Sequence, residues 1–67
     1  MAIELTPAAS VSPLLRLLEE RGVGIESVLV EDEHDRRRVV LTLDHVSRDL
    51  VPTIADLDDV LGVQWRR

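Results

Sequence analysis

Glu31, Asp32, Glu33, His34 and Asp35 are the densest cluster in this chain whose side chains could do chemistry, four carboxylates and an imidazole in five residues. Their oxygens are the ligand type a hard cation such as magnesium takes. A calcium loop, however, needs fixed ligand spacing, a turn glycine and a closing bidentate glutamate. The run has neither of the last two, and Arg36, Arg37 and Arg38 follow at once to neutralise it. The reading is a solvated hairpin connection with no metal site and no cofactor. His34 and His45 are the other ionisable pair. They lie at opposite ends of a strand-like run that rises about 3.3 Å per residue, too far apart to serve one substrate as acid and base. No nucleophile elbow, glycine-rich phosphate loop or zinc motif is present, and no serine has an assigned base, so no catalytic residue and no enzyme are expected.

Binding is the chemistry that remains. Thr6, Ser10 and Ser12 lie in a connection of small residues, Thr6 to Ser12, that leads into a helix. The free backbone amides at a helix N-terminus can take an anion or a carboxylate, although any connection of this kind has similar caps. Trp65 is the single aromatic residue. Its ring can bury a large area in the core or at an edge, or anchor a partner.

The elements that position these residues follow from periodicity. Ala2 to Thr6 alternates, with Ile3 and Leu5 on one face, and Pro7 stops it as a first strand. Val11, Leu14, Leu15 and Leu18 keep the i, i+3, i+4, i+7 spacing of a helix with one buried face. Ser10 or Ser12 can cap that helix, Pro13 falls in its first turn, and Gly22 fits the left-handed residue that ends it. Val23 to Val30 is a second strand, with Ile25 and Leu29 on one face and Val28 and Val30 on the other. Glu31 to Arg37 is the exposed connection to a third strand, Arg38 to Asp44, with Val39, Leu41 and Leu43 facing one way and Val40 and Thr42 the other. Leu50, Ile54, Leu57 and Leu61 mark a second helix. A cap at Asp49 keeps Pro52 in the first turn, whereas a cap at Ser47 would push it inward to clash. Gly62 ends this helix, and Val63 to Arg66 is a short last strand.

The order β-α-β-β-α-β predicts an α+β fold of the ferredoxin-like, split βαβ kind, with two helices on one face of a four-stranded antiparallel sheet. On that assignment the open face carries Val28, Val30, Val40 and Thr42, a patch too apolar to leave in water. It calls for a protein partner or for self-association, with Val28, Val30, Val40 and Trp65 as the interaction candidates.

Composition narrows the partners. Sixty-seven residues without cysteine make one domain, 1–67, which must stand on its hydrophobic core alone. Thirteen acidic side chains against eight basic ones, a net charge of −5, repel a phosphate backbone, and one aromatic residue makes no stacking platform. Nucleic acid and anionic membrane surfaces are therefore not expected partners. The apolar runs fall far short of the roughly 20 residues that span a bilayer, so a soluble, cytoplasmic chain is expected. The abrupt opening at Met1-Ala2 also suits the soluble piece of a larger membrane protein.

Leu14 to Val28, reading Leu-Leu-Arg-Leu-Leu-Glu-Glu-Arg-Gly-Val-Gly-Ile-Glu-Ser-Val, resembles the ACT domain, in which a leucine-rich helix runs into a glycine- and isoleucine-bearing second strand. Many members bind an amino acid at a dimer interface through a Pro-Gly turn between the first strand and helix. Here the turn reads Pro7-Ala8-Ala9-Ser10-Val11-Ser12, without the glycine. Leu57 to Arg66 is similar to the close of the cytoplasmic C-terminal domain in MgtC/SapB-type membrane proteins. That resemblance implies a non-catalytic regulatory or interaction module, cut from a bacterial membrane protein linked to low-magnesium adaptation and virulence. The alternative is the amino-acid-sensing ACT domain of a metabolic enzyme such as homoserine dehydrogenase.

Overall fold

The computed structural model describes residues 1–46 and 48–65. Ser47, weighed above as a cap, and Arg66, placed above in the last strand, lie outside the described residues. The elements are β1 (Ala2–Leu5), α1 (Ser12–Glu20), β2 (Ile25–Asp32), β3 (Arg37–Leu43), α2 (Leu50–Ala55) and β4 (Val60–Gln64). The four strands form one antiparallel sheet in the order β2-β3-β1-β4. The two strands joined through α1 therefore have β3 between them, and the two joined through α2 have β1 between them. The fold is α+β, with β2 and β4 at the sheet edges.

Both helices are held on the same side of the sheet by a single cluster of buried residues. Ile3 and Leu5 of β1 and Val39 and Leu41 of β3 meet Leu14 and Leu18 of α1 and Leu50 and Ile54 of α2, with Ala9 closing one end. The alternation in β1 explains its share, because every second residue faces the helices. In α1 the spacing Leu14 to Leu18 brings one side chain above the other on the buried face. Each such side chain contributes roughly 1.5–3 kcal/mol when fully withdrawn from water.

The ends of α1 show how the local sequence sets its limits. Val11, not a serine, occupies the N-cap position and makes no side-chain cap. Ser10 Oγ instead accepts a hydrogen bond from the Ser12 amide at 3.3 Å. Pro13 sits in the first turn, where its missing N–H costs nothing. At the other end Gly22 takes φ of +71°. Its amide bonds Glu19 O at 3.0 Å while the Val23 amide reaches Leu18 O at 3.0 Å, the paired closure of a Schellman motif.

Between β1 and α1, the Ala9 amide bonds Thr6 O at 3.1 Å across Pro7 and Ala8, and Ala8 has φ of +64°. Proline followed by a left-handed residue is the pattern of a type II turn, whose third position favours glycine. Ala8 is the one non-glycine residue with positive φ among the described residues. Its Cβ carries strain of roughly 1–2 kcal/mol, partly offset because alanine is the less flexible residue when unfolded. Ala8→Gly is expected to stabilise the fold by about 0.5 kcal/mol, raising Tm by roughly 3 °C. A fall in Tm on thermal unfolding would contradict the assigned turn.

Three expectations are corrected. First, β2 starts at Ile25 and continues to Asp32, past the predicted end at Val30, so the connection shrinks to Glu33–Arg36. The register sets Glu31 opposite Arg38 and Asp32 opposite Arg37, and these opposite charges extend the ladder beyond its apolar stretch. Second, α2 ends at Ala55, and Leu57, Leu61 and Gly62 are not part of it. Val60 to Gln64 pairs with β1 instead, placing Gly62 opposite Glu4 and leaving Leu61 58% exposed where the register shifts. Asp56, Asp58 and Asp59 have weak helix propensity, and the five residues of β4 gain more from a sheet edge than from another turn of helix. Asp49 is at the N-cap of α2 as expected, without a side-chain cap bond, and Pro52 falls in the first turn.

The third correction concerns faces. Ile25 pairs with Leu43 but Ser27 pairs with Thr42, so Glu26 is one residue extra in β2. A bulge of this kind reverses the side to which every later residue points. Val28 lies opposite the buried Leu41 and Val30 opposite the buried Val39, on the helix side of the sheet. The open face carries Leu29, Val40 and Thr42. Val28 and Val30 therefore do not belong to the open-face patch with Val40.

Candidate functional site

The acidic hairpin is organised by arginines. Arg37 Nε donates to Asp32 Oδ1 at 2.7 Å and Nη2 to Oδ2 at 3.4 Å, while Nη1 donates to the carbonyl of Ala9 at 2.7 Å. One side chain thus ties the hairpin to the loop between β1 and α1. Arg36 pairs with Asp35 at 3.1 Å and with Glu4 at 3.1 Å. The hydrogen bond and charge of Arg36 hold the Asp35 carboxyl below its ordinary range, and Asp35 with Glu4 pushes the Arg36 guanidinium up. Among the described residues no three His, Asp or Glu side chains are grouped to hold a metal ion.

Thr6 and Ser10 use their side-chain oxygens within the domain. Thr6 Oγ1 donates to Asp59 Oδ1 at 3.5 Å, the Thr6 amide bonds Asp59 O at 2.9 Å, and Ser10 Oγ is used by the Ser12 amide. A cavity of 180 Å³ beside them is lined by Leu5, Ser10, Pro13, Leu14, Leu57 and Val60 together with Asp58 and Asp59. The two aspartates put negative charge where an anion would meet the helix N-terminus, which opposes the carboxylate site expected there.

Three of the exposed large apolar side chains among the described residues lie side by side in β2. Val28 is 40% exposed, Leu29 55% and Val30 42%, three consecutive apolar residues presented on both sides of one strand. Among the described residues no strand lies beyond β2 in the sheet order, so its outer backbone N–H and C=O groups have no strand neighbour there. Glu26, Glu31, Asp32 and Glu33 surround the apolar stretch and are all exposed. Leu29 was missed as a candidate because the bulge that turns it to the open face has no signal in the apolar pattern.

On the open face, Leu29, Val40 and Ala2 form one cross-strand row, and Glu31, Arg38 and Glu4 the next. Arg38, Val40, Ala2, Met1 and Gln64 line a shallow cavity of 270 Å³, and Arg38 Nε is enclosed without a hydrogen-bond partner. Trp65 is 39% exposed at the end of β4. It borders an open groove with Arg48, Val51, Pro52 and Val63, and a smaller one with Met1, Leu43 and Val46. It is therefore half packed, and it lies next to β4, which β3 and β1 separate from β2. Among the described residues no helix is long and apolar enough to cross a membrane. Comparison with protein-family models, with curated proteins and with solved structures finds no match to this chain.

Proposed function

We propose that this chain is a non-catalytic regulatory or protein-interaction module that works by adding an extended segment of a partner to the free edge of its sheet. The observation that carries the reading is β2, an edge strand with Val28, Leu29 and Val30 exposed side by side. Edge addition lets main-chain hydrogen bonds supply affinity while alternate side chains supply selectivity. The loop offers less, because the side-chain oxygens of Thr6 and Ser10 are used within the domain and Asp58 and Asp59 line the cavity an incoming carboxylate would enter.

Taken from its other edge the sheet runs β4-β1-β3-β2, with each pair of helix-linked strands split by a third, which supports a ferredoxin-like, ACT-like arrangement. The likeness of Leu57 to Arg66 to MgtC/SapB-type tails supports a place on the cytoplasmic side of such a bacterial membrane protein.

The test is an amide-resolved NMR titration of the labelled domain with a blocked, uncharged peptide of alternating valine and threonine, and separately with the twenty amino acids. Saturable shifts at Ser27 to Asp32 with the peptide are expected. Saturable shifts at Thr6 to Ser12 with one amino acid, and none at β2 with the peptide, would replace the interaction module with a sensor.

A further inference from the structure

We propose that the segment received by β2 is a short strand with an apolar centre and lysine or arginine on its flanks, and that a second copy of β2 is a poor occupant. The inference rests on the edge-addition reading and names the chemistry of the partner. The regular part of β2 beyond the bulge is Ser27 to Asp32, which at about 3.3 Å per residue offers a seam of roughly 20 Å. At its centre a guest strand meets Leu29 on the open side and Val28 and Val30 on the helix side. Apolar guest residues are required on both faces there, since all three hosts are already largely exposed.

The ends of the seam have the opposite chemistry. Glu26 lies at one end, and Glu31, Asp32 and Glu33 at the other. Only Asp32 has a cationic partner within the domain, Arg37, and Glu26, Glu31 and Glu33 form no ion pair among the described residues. Cross-strand opposite charges favour pairing and like charges oppose it. An antiparallel second copy would bring its own Glu26, Glu31, Asp32 and Glu33 to the same seam, doubling the negative charge. A guest with basic flanks meets Glu26, Glu31 and Glu33, which form no ion pair among the described residues, although Arg38 stands opposite Glu31 in the ladder.

The experiment compares three blocked peptides with one all-valine centre, apolar on both faces, and lysine, glutamine or glutamate at both flanks, titrated into the labelled whole chain. Shifts at Ser27 to Asp32 should saturate with the lysine-flanked peptide at about tenfold lower concentration than with the glutamine-flanked one, and the glutamate-flanked one should bind most weakly. The lysine preference should shrink at 0.5 M salt, taken as a concentration at which exposed charges are screened within about 5 Å. It should also fall in the combined variant Glu26→Gln, Glu31→Gln, Glu33→Gln, whose exposed positions leave the fold intact, as its amide spectrum would show. Equal binding of all three peptides at β2 would overturn the charge assignment and leave edge addition standing. Absence of shifts at β2 with every peptide would overturn edge addition itself. Sedimentation showing a β2-mediated dimer of the chain alone, disrupted by Leu29→Lys, would overturn the exclusion of a second copy.

Discussion

Leu18→Ala is expected to lower the free energy of unfolding by about 3 kcal/mol, the largest effect of any single change considered for this domain. Leu18 is fully buried in the core cluster that also holds Ile3, Leu41 and Ile54, so truncating it removes buried methyl groups and leaves a cavity. A chain of this length has a total stability of only about 3–10 kcal/mol, so the variant should be substantially unfolded at moderate urea. Leu29→Ala removes the same atoms from a side chain that is 55% exposed and is expected to cost about 0.5 kcal/mol. Urea unfolding followed by far-ultraviolet circular dichroism measures both. Equal losses would mean that α1 does not seat Leu18 against the sheet.

Arg37→Ala is expected to cost about 1.5 kcal/mol, because it leaves the Ala9 carbonyl without its charged donor. The side chain is about one-quarter exposed, so the accompanying pair with Asp32 is screened and adds less. The two parts separate by substitution. Asp32→Ala removes the carboxylate but keeps the bond to Ala9, and should cost under about 0.5 kcal/mol. Amide hydrogen exchange should also quicken from Thr6 to Val11 in Arg37→Ala and not in Asp32→Ala, since only the arginine holds that loop. If Asp32→Ala costs as much as Arg37→Ala, the tether to Ala9 is energetically silent.

These two positions differ in how far the sequence announces them. Leu18 follows directly from helical spacing, and its burial is what an apolar residue four positions after Leu14 should do. Arg37 reads in sequence as one more charge in a solvated run. Its reach to Ala9 spans 28 positions and exists only because β1 and β3 are neighbours. The loop residues Thr6, Ser10 and Ser12 were legible as small and polar, but that Asp59 would meet Thr6 could not be read from positions 53 apart.

The order of the six elements, the inward residues of β1, β3 and α1, the left-handed end at Gly22 and the start of α2 at Asp49 are legible in the residues alone. Each depends on spacing or backbone preference within a few residues. Pairing between strands set where β2 ends, where β4 begins and which way the later side chains of β2 face. Leu57 and Leu61 satisfy a helical spacing, yet Val60 to Gln64 gains a ladder of backbone hydrogen bonds from β1, and the helix stops at Ala55. Val28 and Val30 change sides because β2 fits β3 only with Glu26 bulged out. A register shift of one residue leaves the apolar alternation intact and reverses its direction, so the pairing partner decides which face of the strand is buried.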